Sequence, residues 1–130
     1  MPNTEPENQV LITYRNGYIH ILNPDNFVIT PDKIEGLWEN LTEACTKYDC
    51  NRVLNEGSVD LSKLRAYDSY HSGAQAGEIQ GLRMAFLFHG YTPDERADFF
   101  KTVASNRGAK IEFFSDRRAA LRWLGVSEIE

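Results

Sequence analysis

The residues of this 130-residue chain best suited to bind a metal ion are its histidines and a nearby aspartate. His89 ends the apolar run "LRMAFLFHG", and Asp68 and His71 lie about one turn apart on a helical pattern. Two neutral imidazoles and a carboxylate form a ligand set that zinc or iron accepts. A metal site would need Asp68, His71 and His89 to meet in the fold. Because separate hydrogen-bonded or surface histidines are the more usual arrangement, we predict no metal and no cofactor.

A second stretch, "SNRGAKIEFFSDRRAALRWLG" at residues 105–125, mixes a glycine turn with arginines as a phosphate site would. A phosphate cradle places its glycines between a strand and the start of a helix. Gly108 instead follows a predicted helix and precedes a predicted strand, which favours a scaffold role. The chain also lacks the Ser-His-Asp, G-x-S-x-G, P-loop and G-x-G-x-x-G patterns. We therefore predict no catalytic residue and a protein that is not an enzyme.

Charge and composition exclude further classes of function. The net charge of -5 disfavours binding to nucleic acid, which needs basic side chains gathered on one face. No window is long and apolar enough for a membrane span, and the first residues lack a signal-peptide pattern, so we expect a cytoplasmic location. Cys45 and Cys50 match neither a C-x-x-C redox pair nor a zinc knuckle, and we interpret them as reduced structural thiols.

The elements that position these residues can be predicted from the sequence pattern. Residues 1–8 are polar and lack periodicity, which indicates a flexible leader before a single domain at residues 9–126. Two alternating apolar runs flank Asn16 and Gly17, and this pair is typical of the type I′ turn of a β-hairpin. In that hairpin His20 faces away from its apolar neighbours and should be half exposed.

Four helices and three further strands are predicted after the hairpin. Thr30 is the expected N-cap of the first helix, and a short internal strand ends at Gly57. Residues 58–81 predict a helix whose second half is weakened by glycine. The run "LRMAFLFHG" is the expected middle of the sheet. Thr92 is the expected cap of the next helix, which Gly108 ends.

The last elements are the strand "AKIEFF" and a helix that Ser115 or Asp116 caps and Gly125 ends. The order β-β-α-β-α-β-α-β-α predicts an α/β fold. We expect a mixed, mostly parallel sheet of about five strands, with an N-terminal hairpin and about four helices.

Three stretches resemble a known family: "YRNGYIHIL", "LRMAFLF" and above all "FFKTVASNRGAKIEFFSDRRAALRWLG". Together they are similar to the SpoIIAA-like branch of the STAS superfamily, small bacterial proteins related in fold to anti-sigma-factor antagonists and to the lipid-binding CRAL-TRIO fold. The resemblance spans about residues 10–125 and rests mostly on structural residues. It implies a SpoIIAA-like domain with a regulatory or protein-interaction role.

In signalling members of that superfamily, a helix start bears a phosphorylatable serine within an Asp-Ser-Ser/Thr-Gly motif. The corresponding stretch here, "NEGSVDLSKL", lacks the motif. Only Ser58 and Ser62 lie near the inferred helix start, where a phosphate would interact favourably with the helix dipole. These two serines are the candidate phosphorylation switch that the resemblance implies.

Two hypotheses of function follow. The first is a non-enzymatic regulatory module that docks a protein partner, or a second copy, through the surface around residues 57–77. The alternative is a carrier of a small apolar ligand such as a fatty acid. That ligand would occupy a closed pocket of at least ~300 Å³. Its expected lining is Tyr67, Tyr70, His71, Phe86 and His89.

Overall fold

The computed structural model describes residues 9–126, so the predicted flexible leader at residues 1–8 lies outside the described part. The strands are β1 (Leu11–Arg15), β2 (Tyr18–Leu22), β3 (Phe27–Val28), β4 (Arg52–Gly57), β5 (Val59–Asp60), β6 (Arg83–Phe88) and β7 (Lys110–Phe114). The helices are α1 (Pro31–Tyr48), α2 (Ala66–Gly77), α3 (Glu95–Asn106) and α4 (Arg117–Leu124). Every helix within residues 9–126 is too short or too polar to cross a membrane.

The main sheet has the strand order β1-β2-β4-β6-β7. β1 pairs with β2 in antiparallel fashion, and all other neighbours in this sheet are parallel. The predicted α/β class and mixed sheet are confirmed. β4 rather than β6 occupies the middle, although β6 also has a strand on each side. The two-residue strands β3 and β5 form a small parallel pair that is too short to leave a sequence pattern.

The hairpin turn confirms the prediction from Asn16 and Gly17. Asn16 has φ 32° and Gly17 has φ 96°, so both central residues adopt the positive φ that a type I′ turn requires. The turn fixes the register of β1 against β2, with Ile12 opposite Ile21. β2 is thereby placed beside β4 with its apolar residues facing the helices.

The sheet separates two hydrophobic clusters of different size. The larger cluster joins α1, α2 and α3 to one face of the sheet, and the smaller one joins α4 to the other face. Side chains of β4 alternate between them, since Val53 belongs to the first cluster and Leu54 to the second. Burial of both faces explains why β6 reads as a nearly continuous apolar run.

One predicted helix cap is corrected by the structure. Asp94, not Thr92, is the N-cap of α3, and its carboxylate accepts hydrogen bonds from the backbone N–H groups of Arg96 and Ala97. A carboxylate satisfies these amides better than a hydroxyl because it also interacts with the helix dipole. Thr30 occupies the N-cap position of α1 but makes no capping bond with its side chain. Asp116 caps α4, as one of the two predicted alternatives.

The helix predicted over residues 58–81 starts later and is more regular than expected. It begins at Ala66, after β5 and a turn, and continues through both glycines to Gly77. A Cβ atom on Gly73 would lie 2.7 Å from the Cβ of Val103, and one on Gly77 would overlap the side chain of Arg107. The glycines therefore allow close packing of α2 on α3 rather than weakening the helix.

Replacing Gly73 with alanine should destabilise the fold by about 1–3 kcal/mol, because the added methyl group must push α2 away from α3. The matched control is Gly36→Ala on α1, where a Cβ would meet nothing within 4 Å. There the higher helix propensity of alanine should raise stability by about 0.5–1 kcal/mol. Urea unfolding of both variants measures the difference. Equal effects at the two positions would contradict the packing role.

Candidate functional site

A cavity of about 100 Å³ lies between the main sheet and the helices α1, α2 and α3. Its walls are mainly apolar, and the apolar side chains that line it include Leu37, Trp38, Phe86, Phe88, Phe100 and Phe113. The cavity faces the second half of β6, towards the carboxyl ends of the parallel strands. Ligands of open α/β sheets commonly bind at that end.

Aromatic rings give the sheet side of this cavity a fixed shape. The ring of Phe86 stacks on that of Phe113 with centroids 5.0 Å apart. Phe86 also meets Phe88 and Phe100 edge to face, at 5.1 and 5.6 Å. Such pairs hold one another in a preferred geometry in addition to the area they bury. The wall is therefore preformed.

Polar side chains are a minority among the residues that line the cavity. They belong to Asn55, Asp68, Ser69, Ser72, Tyr91 and Arg96. The amide oxygen of Asn55 already accepts a hydrogen bond from the Asn23 side chain at 2.6 Å. Burial raises the pKa of the Tyr91 hydroxyl, which therefore stays a neutral donor and acceptor.

Arg96 holds a short loop across one end of the cavity. Its guanidinium donates to the carbonyl oxygen of Leu64 at 2.8 Å and to that of Leu61 at 3.3 Å, and both leucines line the cavity. It also pairs with Asp94 at 3.1 Å. The first turn of α3 thus fixes the connection between β5 and α2 over the apolar space.

The lining predicted from the sequence is largely wrong. Of the expected residues only Phe86 lines the cavity, and the volume is well below the ~300 Å³ expected for a lipid pocket. Tyr67 and Tyr70 are 71% and 43% exposed on the outer side of α2. The buried side of α2 carries Ser72, Gly73 and Ala76 instead. Close packing on α3 requires these small residues, so the aromatic rings point outward.

The hypothetical metal cluster of Asp68, His71 and His89 is not assembled. The Asp68 carboxylate accepts the backbone N–H of Arg65 at 2.8 Å, and His71 contacts Gln75 at 3.3 Å. His89 instead contacts the carboxylate of Glu56. No three metal-binding side chains within residues 9–126 are placed to hold an ion.

The two candidate phosphorylation sites do not lie at a helix start. Ser58 connects β4 to β5, and its carbonyl oxygen accepts the N–H of Phe27 at 3.2 Å. The backbone N–H of Ser62 donates to the Asp60 carboxylate at 2.9 Å in a turn before α2. Since α2 begins at Ala66, neither serine would place a phosphate on its free amides. A phosphate at these positions would therefore lack the favourable interaction with the helix dipole.

On the opposite face of the sheet, the Glu56 carboxylate joins three cationic or imidazole groups. His20 contacts one oxygen at 2.9 Å and Arg117 contacts the same oxygen at 2.7 Å, while His89 contacts the other at 3.3 Å. His20 is only 5% exposed, so the expectation of a half-exposed side chain is wrong. The available signal was Glu56 itself, a charged residue near the end of an internal strand.

These contacts keep Glu56 ionised. The hydrogen bond from His20 is the largest influence, and Arg117 adds to it, so that the pKa of Glu56 falls from 4.5 to about 2 although burial acts in the opposite direction. The same pairing, against the effect of burial, raises the pKa of Arg117. The cluster ties β2, β4, the end of β6 and the start of α4 together.

No protein-family model matches this chain, and no curated protein matches it either. Among solved structures, an uncharacterized protein of the DUF3478 family with a SpoIIAA-like fold, from Shewanella loihica, is similar to it. The two are 20% identical, with 89% of this chain and 92% of the other covered and a TM-score of 0.48. At this identity and TM-score, the likeness carries no conclusion about the function of this chain.

Replacing Glu56 with glutamine should destabilise the protein by about 1–2 kcal/mol at neutral pH, since water still reaches part of the cluster. The lowered pKa means that this stabilisation is complete above about pH 5 and is lost as the pH falls towards 2. The difference between wild type and variant should shrink over that range. Chemical unfolding at several pH values measures it.

The control is Glu112→Gln, which removes an exposed pair with Lys101 at 2.9 Å. Such surface pairs contribute about 0–1 kcal/mol, so this variant should differ little from wild type. A Glu56→Gln variant whose loss of stability is independent of pH would contradict the role assigned to the ionised carboxylate.

Proposed function

We propose that this domain is a non-enzymatic binding module that takes a small apolar ligand in the cavity between the sheet and α1, α2 and α3. The observation that supports the proposal is the cavity itself, an apolar space with a few polar side chains in its lining. Ligand sites of proteins commonly combine these two features. The aromatic wall built by Phe86, Phe100 and Phe113 favours a flat or compact hydrocarbon.

The volume limits the size of the ligand. An apolar cavity of about 150 Å³ in another protein binds benzene. A space of about 100 Å³ therefore suits a single ring or a short branched chain. The long chain of a fatty acid would require the 61–64 loop to move, which narrows the ligand class expected from the sequence.

The polar side chains in the lining of the cavity favour a ligand with a neutral polar group. The carboxylate of Asp68 lies at the cavity and would repel an anionic ligand. The guanidinium of Arg96 is already engaged with two carbonyl oxygens and Asp94. The Ser69 hydroxyl can donate or accept a hydrogen bond, and the Tyr91 hydroxyl, which already interacts with Asp94, can take part in a second one. A phenol-like or alcohol-like ligand matches this arrangement better than an acid.

Titration with benzene, phenol and decanoate tests this proposal. Benzene and phenol should shift the amide NMR signals of residues around Phe86 and Phe100 and raise the melting temperature, whereas decanoate should bind more weakly. Ala97→Leu places a larger side chain into the cavity, because Ala97 lines it. This variant should fold and lose the binding.

The matched control is Ala66→Leu, the same change at an exposed position of α2. It should bind benzene and phenol as the wild type does. Unchanged binding in the Ala97→Leu variant, or no binding of either compound to the wild type, would refute the cavity as a ligand site.

A second candidate function is docking of a protein partner on α2 and α3, as the first hypothesis from the sequence holds. It is supported by an exposed aromatic patch of Tyr67, Tyr70 and Phe99, in which the last two rings stack with centroids 6.5 Å apart. Acidic side chains lie close by in the chain, at Glu95 and Asp98. With a net charge of -5, the protein favours a partner segment that carries apolar side chains flanked by basic ones over a second copy of itself.

Selection of random peptides displayed on phage tests this docking role. Apolar peptides with lysine or arginine should be enriched on the wild type and should not bind the double variant Tyr67→Ser, Tyr70→Ser. Tyr14→Ser, at a tyrosine on β1 that is about as exposed as Tyr70, is the control and should keep the binding. Enriched peptides that still bind the double variant, or the absence of any enrichment, would count against this patch.

A further inference from the structure

The end of α1 and the turn after it carry two cysteines, Cys45 and Cys50, that are five positions apart in the sequence. Asp49 adopts the left-handed conformation with φ 50°. The N–H of Cys50 then donates to the carbonyl oxygen of Cys45 at 3.0 Å, and the N–H of Asp49 donates to that of Thr46 at 3.3 Å. These two bonds define a Schellman motif. In this motif the side chain of the first residue, here Cys45, commonly contacts the side chain of the last residue, here Cys50.

In this chain the residues in those two positions are Cys45 and Cys50. Both are free thiols and both are half-buried. Burial raises the pKa of Cys45 to about 11, and the neighbouring Cys50 adds to this effect. The thiol of Cys50 donates to the carbonyl oxygen of Gly17 at 3.5 Å and to that of Arg52 at 3.6 Å.

We propose that Cys45 and Cys50 are an oxidisable pair that forms a reversible disulfide on exposure to a peroxide. A disulfide requires Cα atoms about 4.4–6.8 Å apart with side chains directed at one another. The Schellman motif favours such an approach, because its hydrogen bond from the Cys50 N–H to the Cys45 carbonyl oxygen, at 3.0 Å, folds the chain back over a single turn. Cys45 and Cys50 match no redox motif in the sequence. The positive φ of Asp49 turns the chain between them and makes them a candidate redox pair.

The reaction balances with hydrogen peroxide as the oxidant. The thiolate of Cys50 attacks one peroxide oxygen, so that an S–O bond forms, the O–O bond breaks and hydroxide leaves as water after taking a proton. The sulfur of Cys45 then attacks the sulfenic sulfur of Cys50. The S–S bond forms, the S–O bond breaks, and a second water leaves with the proton of Cys45. The two sulfurs together lose two electrons, and peroxide is reduced to two waters.

Cys50 is assigned the first attack because the Cys45 thiolate is disfavoured by burial beside a second sulfur. Once Cys50 is a neutral sulfenic acid, its repulsion of a Cys45 thiolate disappears. The new bond would close a short loop around Tyr48, whose ring stacks on Tyr14 at 5.1 Å. Oxidation would therefore clamp the last turn of α1 beside the hairpin and β4.

Mass spectrometry after treatment of the native protein with hydrogen peroxide tests the pair. The intact mass should fall by about 2 Da, the loss of two hydrogens, at a rate that does not depend on protein concentration. Trypsin cuts after Lys33, Lys47 and Arg52, so the disulfide should link the peptides of residues 34–47 and 48–52. Dithiothreitol should separate them again.

The single variants Cys45→Ser and Cys50→Ser are the controls and should gain oxygen or react between molecules instead of losing mass. The oxidised wild type should melt no lower than the reduced protein, because the bond forms within the folded geometry. The proposal is overturned if the native wild type gains oxygen at one cysteine without the cross-link. It is equally overturned if the link forms only in denaturant or lowers the melting temperature. Neither result bears on ligand binding in the cavity, which the proposal does not use.

Discussion

Close packing of α2 on α3 determines how α1, α2 and α3 cover their face of the sheet. Gly73 and Gly77 remove the side chains that would collide with Val103 and Arg107, and α2 consequently packs far more extensively on α3 than on α1. The cavity lies where α1, α2 and α3 meet the sheet. The same constraint puts small residues on the inner side of α2 and leaves Tyr67 and Tyr70 outside. One packing contact thus explains both the ligand-sized space and the exposed aromatic patch.

The other face of the sheet depends on charge rather than on shape. The Glu56 carboxylate receives contacts from His20, His89 and Arg117, which come from three different elements. A carboxylate near the end of an internal strand is stable in ionised form only with such partners. This arrangement holds the start of α4 on the face of the sheet opposite the cavity. The two faces can therefore be changed separately by mutation.

The parts of the fold that depend on neighbouring residues could be predicted from the sequence. Asn16 and Gly17 specify their turn locally, and Gly108 and Gly125 end helices with the positive φ expected of them. The start of α2 and the cap of α3 were misplaced because several residues in each stretch could cap a helix, and tertiary contacts choose among them. Asp94 is chosen because its carboxylate reaches two free amides.

The candidate site was harder to predict because its residues meet only through tertiary packing. A glycine within a helical pattern has the same meaning in a sequence whether it weakens the helix or lets another helix approach. For that reason the sequence pattern alone places the aromatic side chains of α2 in the interior and makes Gly73 and Gly77 look like a weak point of the helix. His20 shows the same limit: alternation in β2 correctly gives the face on which it lies, but not the Glu56 partner that buries it.

Diffraction from crystals of the protein pressurised with xenon tests the central claim most directly. Xenon enters dry apolar cavities and is visible through its electron density. The account predicts a xenon site among Trp38, Phe86 and Phe100, with the surrounding helices unmoved. The absence of a xenon site, with side chains filling the space between α1, α2 and the sheet, would contradict this prediction.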